Sequence, residues 1–440
     1  MQLKVVKFGG SSLADAEHFK QVANILKEDP SRRYVVASAP GKRSNDDEKV
    51  TDMLYNCYNM IRRHEDITEY YQKIIDRYTS IIEGLGMDFD ISGELEYIKS
   101  AMMARSGRDY AASRGEYLNS LILAKYLGYD FIDAENVIFF KENSSFDEEK
   151  TNIAMREELS KHERAVVPGF YGSMPNGTIK TFSRGGSDIT GSIIARAINA
   201  DLYENWTDVS GFLMADPRIV KNPKAISVIT YRELRELSYM GAGVLHEDAI
   251  FPVQKEGIAI NIKNTNHPED VGTMILPSAT DRDVQHVVTG IAGKKGFSVI
   301  NIEKNQMGSQ FGFAAKVFKC LDQYNIHCEH LPSGIDTMCP VVSTAELEAK
   351  MDEFIADLHR VSDADSITVD TNLALIAVVG RGMKEAKGTA ARVFTAISNA
   401  GVNVRMIDQG SSELNIIIAV YEDDYEKTIK AIYGEFVEQM

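Results

Sequence analysis

At 440 residues the chain is long for one domain, so two or three are expected. Hydrophobic residues at 44% and charged residues at 25% are ordinary for a soluble globular protein. A formal net charge of −16 argues against nucleic acid or an anionic lipid surface as partner, and no apolar run reaches the length of a membrane span.

The first residues, "MQLKVVKF", carry charge inside their apolar segment and show no cleavage-like site, so no signal peptide is expected and the cytoplasm is the expected compartment. Cys57, Cys320, Cys328 and Cys339 form no CxxC pair, which reads as reduced thiols and no metal site. A small anionic metabolite remains the expected partner, because a local cationic pocket outweighs a distant diffuse field at physiological salt.

In chain order, "LKVVKF" has strand composition and is broken by a glycine pair, after which Phe19, Val22, Ala23 and Leu26 follow helical spacing. "RYVVASAPG" repeats the pattern of a buried strand ending in small residues. Such βα units imply a parallel sheet with helices on its faces. From Thr51 to about residue 110 the chain changes character: "TDMLYNCYNMIRRHEDITEYYQKIIDRYTSII" is helix-periodic, mixed in charge and free of glycine and proline, and the segment reads as a helical insertion, either a lid or a packing layer. The βα rhythm resumes with "RAVVPGFYG", "ADLYENWTD" and "GIAINIKNT". A boundary is expected near residue 280, in the polar stretch "SATDRDVQH".

The last third holds a weak internal repeat. "GFAAKVFKCLDQYNIH" from Gly312 matches "GTAARVFTAISNAGVN" from Gly388, each copy following an apolar strand. Two tandem β-α-β-type modules are expected, over 281–366 and 367–440, with the closing "FVEQM" read as a last strand that belongs either to the second module or, by returning, to the first.

Three strand-end loops are rich in glycine, hydroxyl and charge: "KFGGSS", "FSRGGSDITGSIIARAI" and "NWTDVSGFLMADPR". In an open parallel sheet such loops gather at the carboxyl ends of the strands, where ligands bind. Glycine lets the backbone approach an anion closely, and the following helix start offers N–H groups and a favourable dipole. Lys7 adds a point charge suited to phosphate, and Arg184 a planar fork suited to a carboxylate. Each loop alone is an ordinary turn with a helix cap. The strand–GG–Ser–helix pattern occurring twice with a cation is what points to phosphate. There is no GxxxxGK[ST] loop, and "VVGRGMKEAKG" has Glu385 where a dinucleotide fingerprint needs its third glycine.

With "KFGGSS", "SRGEYLNS", "RGGSD" and "WTDVSGFLMADPR" in this order, ahead of the repeat, the chain resembles the aspartate kinases of the amino-acid kinase family with C-terminal ACT domains. The resemblance implies an α/β fold: a three-layer α/β/α kinase domain over 1–280 with a mostly parallel central sheet, then two ferredoxin-like α+β modules. It implies ATP-dependent phosphorylation of the β-carboxylate of L-aspartate, the first step towards lysine, threonine and methionine, with ATP and Mg²⁺ as cofactors. Lys7 resembles the lysine on the transferring phosphoryl group, with Gly9, Gly10 and Ser11 around it. Thr51, Glu116, Arg184 and Ser187 match substrate contacts, Glu116 for the ammonium and Arg184 for the α-carboxylate, with Asp188 beside them. Thr207, Asp208, Leu213, Arg218, Gly243 and Val244 match nucleotide contacts, although the family often has tyrosine at Leu213 and lysine at Gly243.

For regulation, the resemblance implies an end-product amino acid, lysine with threonine as competitor, in modules that pair as a homodimer or a tetramer of dimers. Met307, Gln310, Gly312, Phe313 and Ala314 form the expected carboxylate-facing loop and helix start. Ser333, Gly334 and Asp336 stand at a strand edge, where Asp336 or Glu329 offers a partner for a cationic group. A glutamate or acetylglutamate kinase, and an amino-acid sensor with a degenerate kinase domain, are the competing readings.

Overall fold

Strand β1 (Lys4–Phe8) has Val5, Val6 and Phe8 fully buried, as a parallel strand covered on both faces requires. It belongs to the first of two compact units in the computed structural model, which describes residues 2–438 apart from 105, 184, 244, 246 and 279–285. That unit comprises Met1–Phe212, Ala225–Tyr231 and Val244–Ala279; the second comprises Leu213–Lys224, Arg232–Gly243 and Thr280–Met440. The stretch expected to hold a domain boundary lies largely outside the described residues.

In the first unit β1 is followed by α1 (Ala16–Glu28), β2 (Arg32–Ala37), α2 (Val50–Arg62), α3 (Thr68–Gly84), α4 (Ser92–Met103) and α5 (Arg108–Leu127). Then come β3 (Asp130–Phe131), α6 (Glu148–Leu159), β4 (Ala165–Pro168) and a small hairpin, β5 (Tyr171–Ser173) with β6 (Ile179–Thr181). The unit ends with α7 (Gly186–Ala197), β7 (Leu202–Thr207), β8 (Val228–Thr230), α8 (Tyr231–Tyr239), α9 (Phe251–Glu256), β9 (Ala259–Asn264) and β10 (Thr273–Leu276), although α8 from Arg232 onwards groups with the second unit.

The eight strands of its sheet run in the order β3-β4-β2-β1-β7-β9-β10-β8. All are parallel from β3 to β9; β10 is antiparallel to β9, and β8 parallel to β10. The expected parallel sheet is therefore present, with every βα unit read from the sequence on it.

The helical insertion packs rather than covers. Leu54, Tyr71, Ile74, Tyr78, Ile81 and Ile98 share one core with Phe8, Val35 and Trp206. Helix α5 lies close on the end of β2 because its buried face is built from small residues such as Ala111, Ala112 and Gly115. A Cβ added to Gly115 would stand 2.8 Å from that of Ala39.

The second unit contains β11 (Gly290–Glu303), α10 (Phe313–Gln323), β12 (Thr337–Met338), β13 (Val341–Ser343), α11 (Thr344–Leu347) and α12 (Met351–Ser362). They are followed by β14 (Ser366–Val379), α13 (Thr389–Asn399), β15 (Met406–Asp408), β16 (Asn415–Tyr421) and α14 (Tyr425–Tyr433). The repeat seen in the sequence falls on α10 and α13. Both start after a glycine in the left-handed region, Gly312 at φ 77° and Gly388 at φ 86°, where a side chain would be strained.

The 14-residue strands β11 and β14 pair antiparallel over their whole length, from Gly290 opposite Val379 to Glu303 opposite Ser366. The latter half of β11 and the first half of β14 build one module with β12 and β13. The other two halves build the second with β15 and β16. The expected closing strand "FVEQM" is corrected here. Gly434–Glu438 form a wide helical turn, and the fourth strand of the second module is instead the first half of β11.

Candidate functional site

At the carboxyl end of β1 the Lys7 side chain is buried, and its Nζ stands 2.5 Å from Asp188 Oδ1. Asp188 lies in the first turn of α7, which begins after Gly185 in the left-handed conformation (φ 59°). Asn205, on the neighbouring strand β7, donates to the same Oδ1 at 2.9 Å and fixes the carboxylate from the other side. Two loops far apart in the sequence thus meet through one charge pair. Arg184, expected to stand two residues before Gly186, lies outside the described residues, as does Val244.

The loop after β1 is held by its carbonyls. Gly9 donates to Trp206 O, while Gly9 O and Gly10 O receive the N–H groups of Ser12 and Leu13. Among the described residues the N–H groups of Gly10 and Ser11 have no hydrogen-bond partner, so two adjacent donors remain for an anion. Gly10 also meets the loop after β2: Gly41 donates to Gly10 O at 2.8 Å, and a Cβ on Gly41 would lie 2.6 Å from Gly10 C. Ser12 Oγ and Thr265 Oγ1, 2.6 Å apart, tie this loop to the end of β9.

Glu116 is carried by α5 to the end of β2. It is fully buried, accepts from the Ala39 N–H, and keeps Oε2 without a partner among the described residues. Burial pushes its carboxyl up to about 8. One helical turn on, Asn119 Nδ2 donates to Ser38 O at 2.6 Å, so α5 engages both the carbonyl and the N–H of the single peptide that joins Ser38 to Ala39. Thr51 stands half-buried in the first turn of α2, beside Val50, which packs within 3.7 Å of the Cβ position of Gly115. Ser187 opens α7 against the end of β4, where a Cβ on Gly169 would be 2.5 Å from its Oγ.

Thr207 ends β7, and its hydroxyl donates to the exposed Asp208 at 3.2 Å. The remaining nucleotide candidates group with the second unit. Leu213 is partly exposed, Gly243 is exposed, and the Arg218 guanidinium is exposed and bound by its neighbour Asp216 at 2.6 Å. In that unit the effector candidates form a second cluster. The Lys304 backbone N–H donates to Asp336 O at 2.9 Å, and a Cβ added to Gly308, in the turn Met307–Ser309, would lie 3.7 Å from Ile335 O. Gln310 and Gly312 are exposed, and Phe313 is buried as the first residue of α10 beside Ala314. Ser333, Gly334 and Asp336 lie exposed on the hairpin that pairs Ser333 with Met338. Glu329 is half-buried, its carboxyl is pushed up by burial, and it accepts from the Tyr239 hydroxyl.

Sequence reading missed Asn205 and Asn119. A signal existed for the first: Glu204 and Asn205 are successive polar residues in a buried central strand, and polar side chains there need a reason. Among the described residues no group of three His, Cys, Asp or Glu side chains is placed to hold a metal ion, and no helix is long and apolar enough to cross a membrane.

The amino acid kinase family profile matches residues 2–264, and an ACT domain profile residues 376–436. Aspartokinase 3 of Bacillus subtilis is 37% identical over 456 aligned residues, 99% of this chain and 98% of that protein. The crystal structure of Clostridium acetobutylicum aspartate kinase, an allosteric enzyme, superposes with a TM-score of 0.90 at 52% identity, covering 99% of this chain and 100% of that one. Aspartokinase III of E. coli, solved with aspartate and ADP, shares the fold with a TM-score of 0.78 at 24% identity over 99% of both chains. Together with the sheet, its strand-end loops and the paired C-terminal modules, these likenesses place the chain in the amino acid kinase family, among the aspartate kinases.

Proposed function

We propose that the chain transfers the γ-phosphoryl group of ATP to the β-carboxylate of L-aspartate, giving 4-phospho-L-aspartate and ADP, as a cytoplasmic entry step to lysine, threonine and methionine. The observation that carries this reading is the arrangement at the ends of β1 and β2. A buried cation held by Asp188 ends the strand from which the Gly10 and Ser11 loop leaves, whose N–H groups have no partner among the described residues, and a buried carboxyl group with one oxygen likewise unpartnered among them lies behind the next strand exit. The first set suits a phosphoryl group, the second an ammonium.

Aspartate's β-carboxylate, with a reference pKa of about 3.9, is already an anion at neutral pH, so no general base is required. One of its oxygens attacks the γ-phosphorus while the bond to the bridging oxygen breaks and ADP leaves with that electron pair. What this chain supplies is alignment and positive charge. Lys7 and the Gly10 and Ser11 N–H groups face the phosphoryl oxygens. Asp188, itself fixed by the Asn205 amide, holds the Lys7 ammonium in place. Glu116 takes the substrate ammonium, with Thr51, Arg184 and Ser187 completing the substrate cleft. Thr207, Asp208, Leu213, Arg218, Gly243 and Val244 are the proposed nucleotide contacts. Mg²⁺ would neutralise phosphate charge as part of the nucleotide. Among the described residues no group of three acidic, His or Cys side chains is placed to hold it, so it would be carried mainly by the phosphates, and no step here runs through it.

The decisive experiment is trapping with hydroxylamine in the presence of ATP, Mg²⁺ and each candidate acid. Aspartate is expected to give hydroxamate, while glutamate and acetylglutamate give none. A product from either of the latter, with none from aspartate, would reject the assignment.

Regulation by lysine through the C-terminal modules, paired in a homodimer, completes the proposal. It is supported by Asp336, whose carbonyl receives the Lys304 N–H just before the turn at Met307, with Glu329 as the other acidic candidate. A coupling of about 1–3 kcal/mol is typical of such linkage. Lysine should therefore lower activity several-fold at subsaturating substrate, and identical kinetics with and without it would exclude lysine as effector.

A further inference from the structure

Helix α3 of the insertion carries one buried charge whose role the fold alone does not explain. The Arg77 side chain is 1% exposed, among apolar neighbours such as Ile74, Tyr78 and Ile81. Its Nη1 donates to Gly41 O at 2.9 Å, and its Nη2 donates to Asp47 Oδ2 at 2.5 Å and to Glu48 O at 3.3 Å. Asp47 is held in turn by Arg43, whose backbone N–H and Nε both donate to Oδ2 at 2.9 Å. Arg77 therefore ties both ends of the segment joining β2 to α2.

Gly41 is the link to the site. Its carbonyl receives Arg77, its N–H donates to Gly10 O, and the two glycines touch so closely that neither has room for a Cβ. The contact falls on the stretch whose Gly10 and Ser11 N–H groups have no hydrogen-bond partner among the described residues. A guanidinium buried in a helical layer, with Nε unpartnered among the described residues, is a costly way to fasten one loop to a core. An apolar residue would serve packing better. We propose that Arg77 is a positioning residue for the glycine loop after β1, setting it through Gly41. This rests on the phosphoryl-binding role given to that loop above. The insertion thereby contributes to turnover without touching substrate.

Loop misplacement degrades alignment more than binding. Arg77→Lys keeps the charge but cannot span Gly41 O and Asp47 together. It is expected to lower kcat roughly ten- to hundredfold while the KM for aspartate stays within about threefold. Asp47→Asn, which loosens the same guanidinium without altering α3, should give a smaller loss of the same kind. Tyr71→Phe is the control: it removes a buried bond inside the insertion, from Tyr71 Oη to Leu95 O at 2.8 Å, and should leave kcat unchanged. Amide hydrogen exchange of the peptide spanning residues 8–14, without substrates, should accelerate by on the order of tenfold in both Arg77→Lys and Asp47→Asn but not in Tyr71→Phe. Unchanged kcat and unchanged exchange in these two variants would overturn the proposal. Should Arg77→Lys fail to fold, Asp47→Asn decides alone. Absence of acyl phosphate from the wild-type protein would instead reject the functional reading, and the exchange result would still decide whether Arg77 sets the loop.

Discussion

Replacing Lys7 by alanine is expected to lower turnover about a hundredfold or more at saturating ATP. The side chain is buried at the end of a central strand, paired with Asp188, and the loop that follows the strand carries two N–H groups without a partner among the described residues. Removing one preorganised donor from a site of developing negative charge costs about 2.7–4 kcal/mol in the transition state. The mutation also strips Asp188 of its cation, leaving Asn205 as the partner seen in the structure. Because the charge matters most as the phosphoryl group moves between oxygens, the loss should fall on kcat more than on the KM for ATP. Steady-state kinetics at several ATP concentrations check this. A variant with near-normal kcat would remove Lys7 from the mechanism.

Glu116→Gln should act on substrate binding and change its pH dependence. In the free enzyme the buried carboxyl, pushed up to about 8, is mostly protonated at neutral pH. Binding an ammonium requires the carboxylate, so aspartate must expel a proton below that value. The KM for aspartate should then fall as pH rises from 6 to 8, by up to about tenfold per unit, and level off above. The glutamine variant should lose this slope and show a KM higher by about 10–150-fold at pH 8, from the loss of about 1.5–3 kcal/mol of charge-assisted bonding, with kcat little altered. The sign for stability is opposite to that of a salt-bridged carboxylate. Its folded pKa lies above the unfolded one, so the native state without ligand loses stability as pH rises from about 4.5 to about 8. Glu116→Gln should therefore raise the melting temperature at pH 8.5 and leave it nearly unchanged at pH 5. A KM slope surviving in the variant would assign the titration elsewhere.

Much of the first unit was legible because its strands are buried on both faces and end in glycine or small residues. "LKVVKF", "RYVVASAPG" and "GIAINIKNT" all became parallel strands of one sheet. The Lys7 and Asp188 loops could be paired on chemistry alone. The residues that hold them could not. Asn205 follows Glu204, which is itself engaged with Lys4, Arg32 and Trp206, and nothing in a single sequence separates two such buried polar residues by role. Arg77 is one cation among many on helix-periodic segments, and only packing shows that it faces inward. The internal repeat located both helices of the regulatory half correctly. It could not reveal that the strands are shared, because strand partners depend on register between segments about 75 residues apart rather than on local pattern.

That sharing has a mechanical meaning. Since each long strand gives half its length to one βα assembly and half to the other, neither assembly owns a full set of backbone partners, and any cut between them orphans a row of peptide groups on both sides. The C-terminal half is accordingly a single indivisible plate, its two assemblies joined by continuous strands that shift register between Lys295 and Val299, where one assembly gives way to the other.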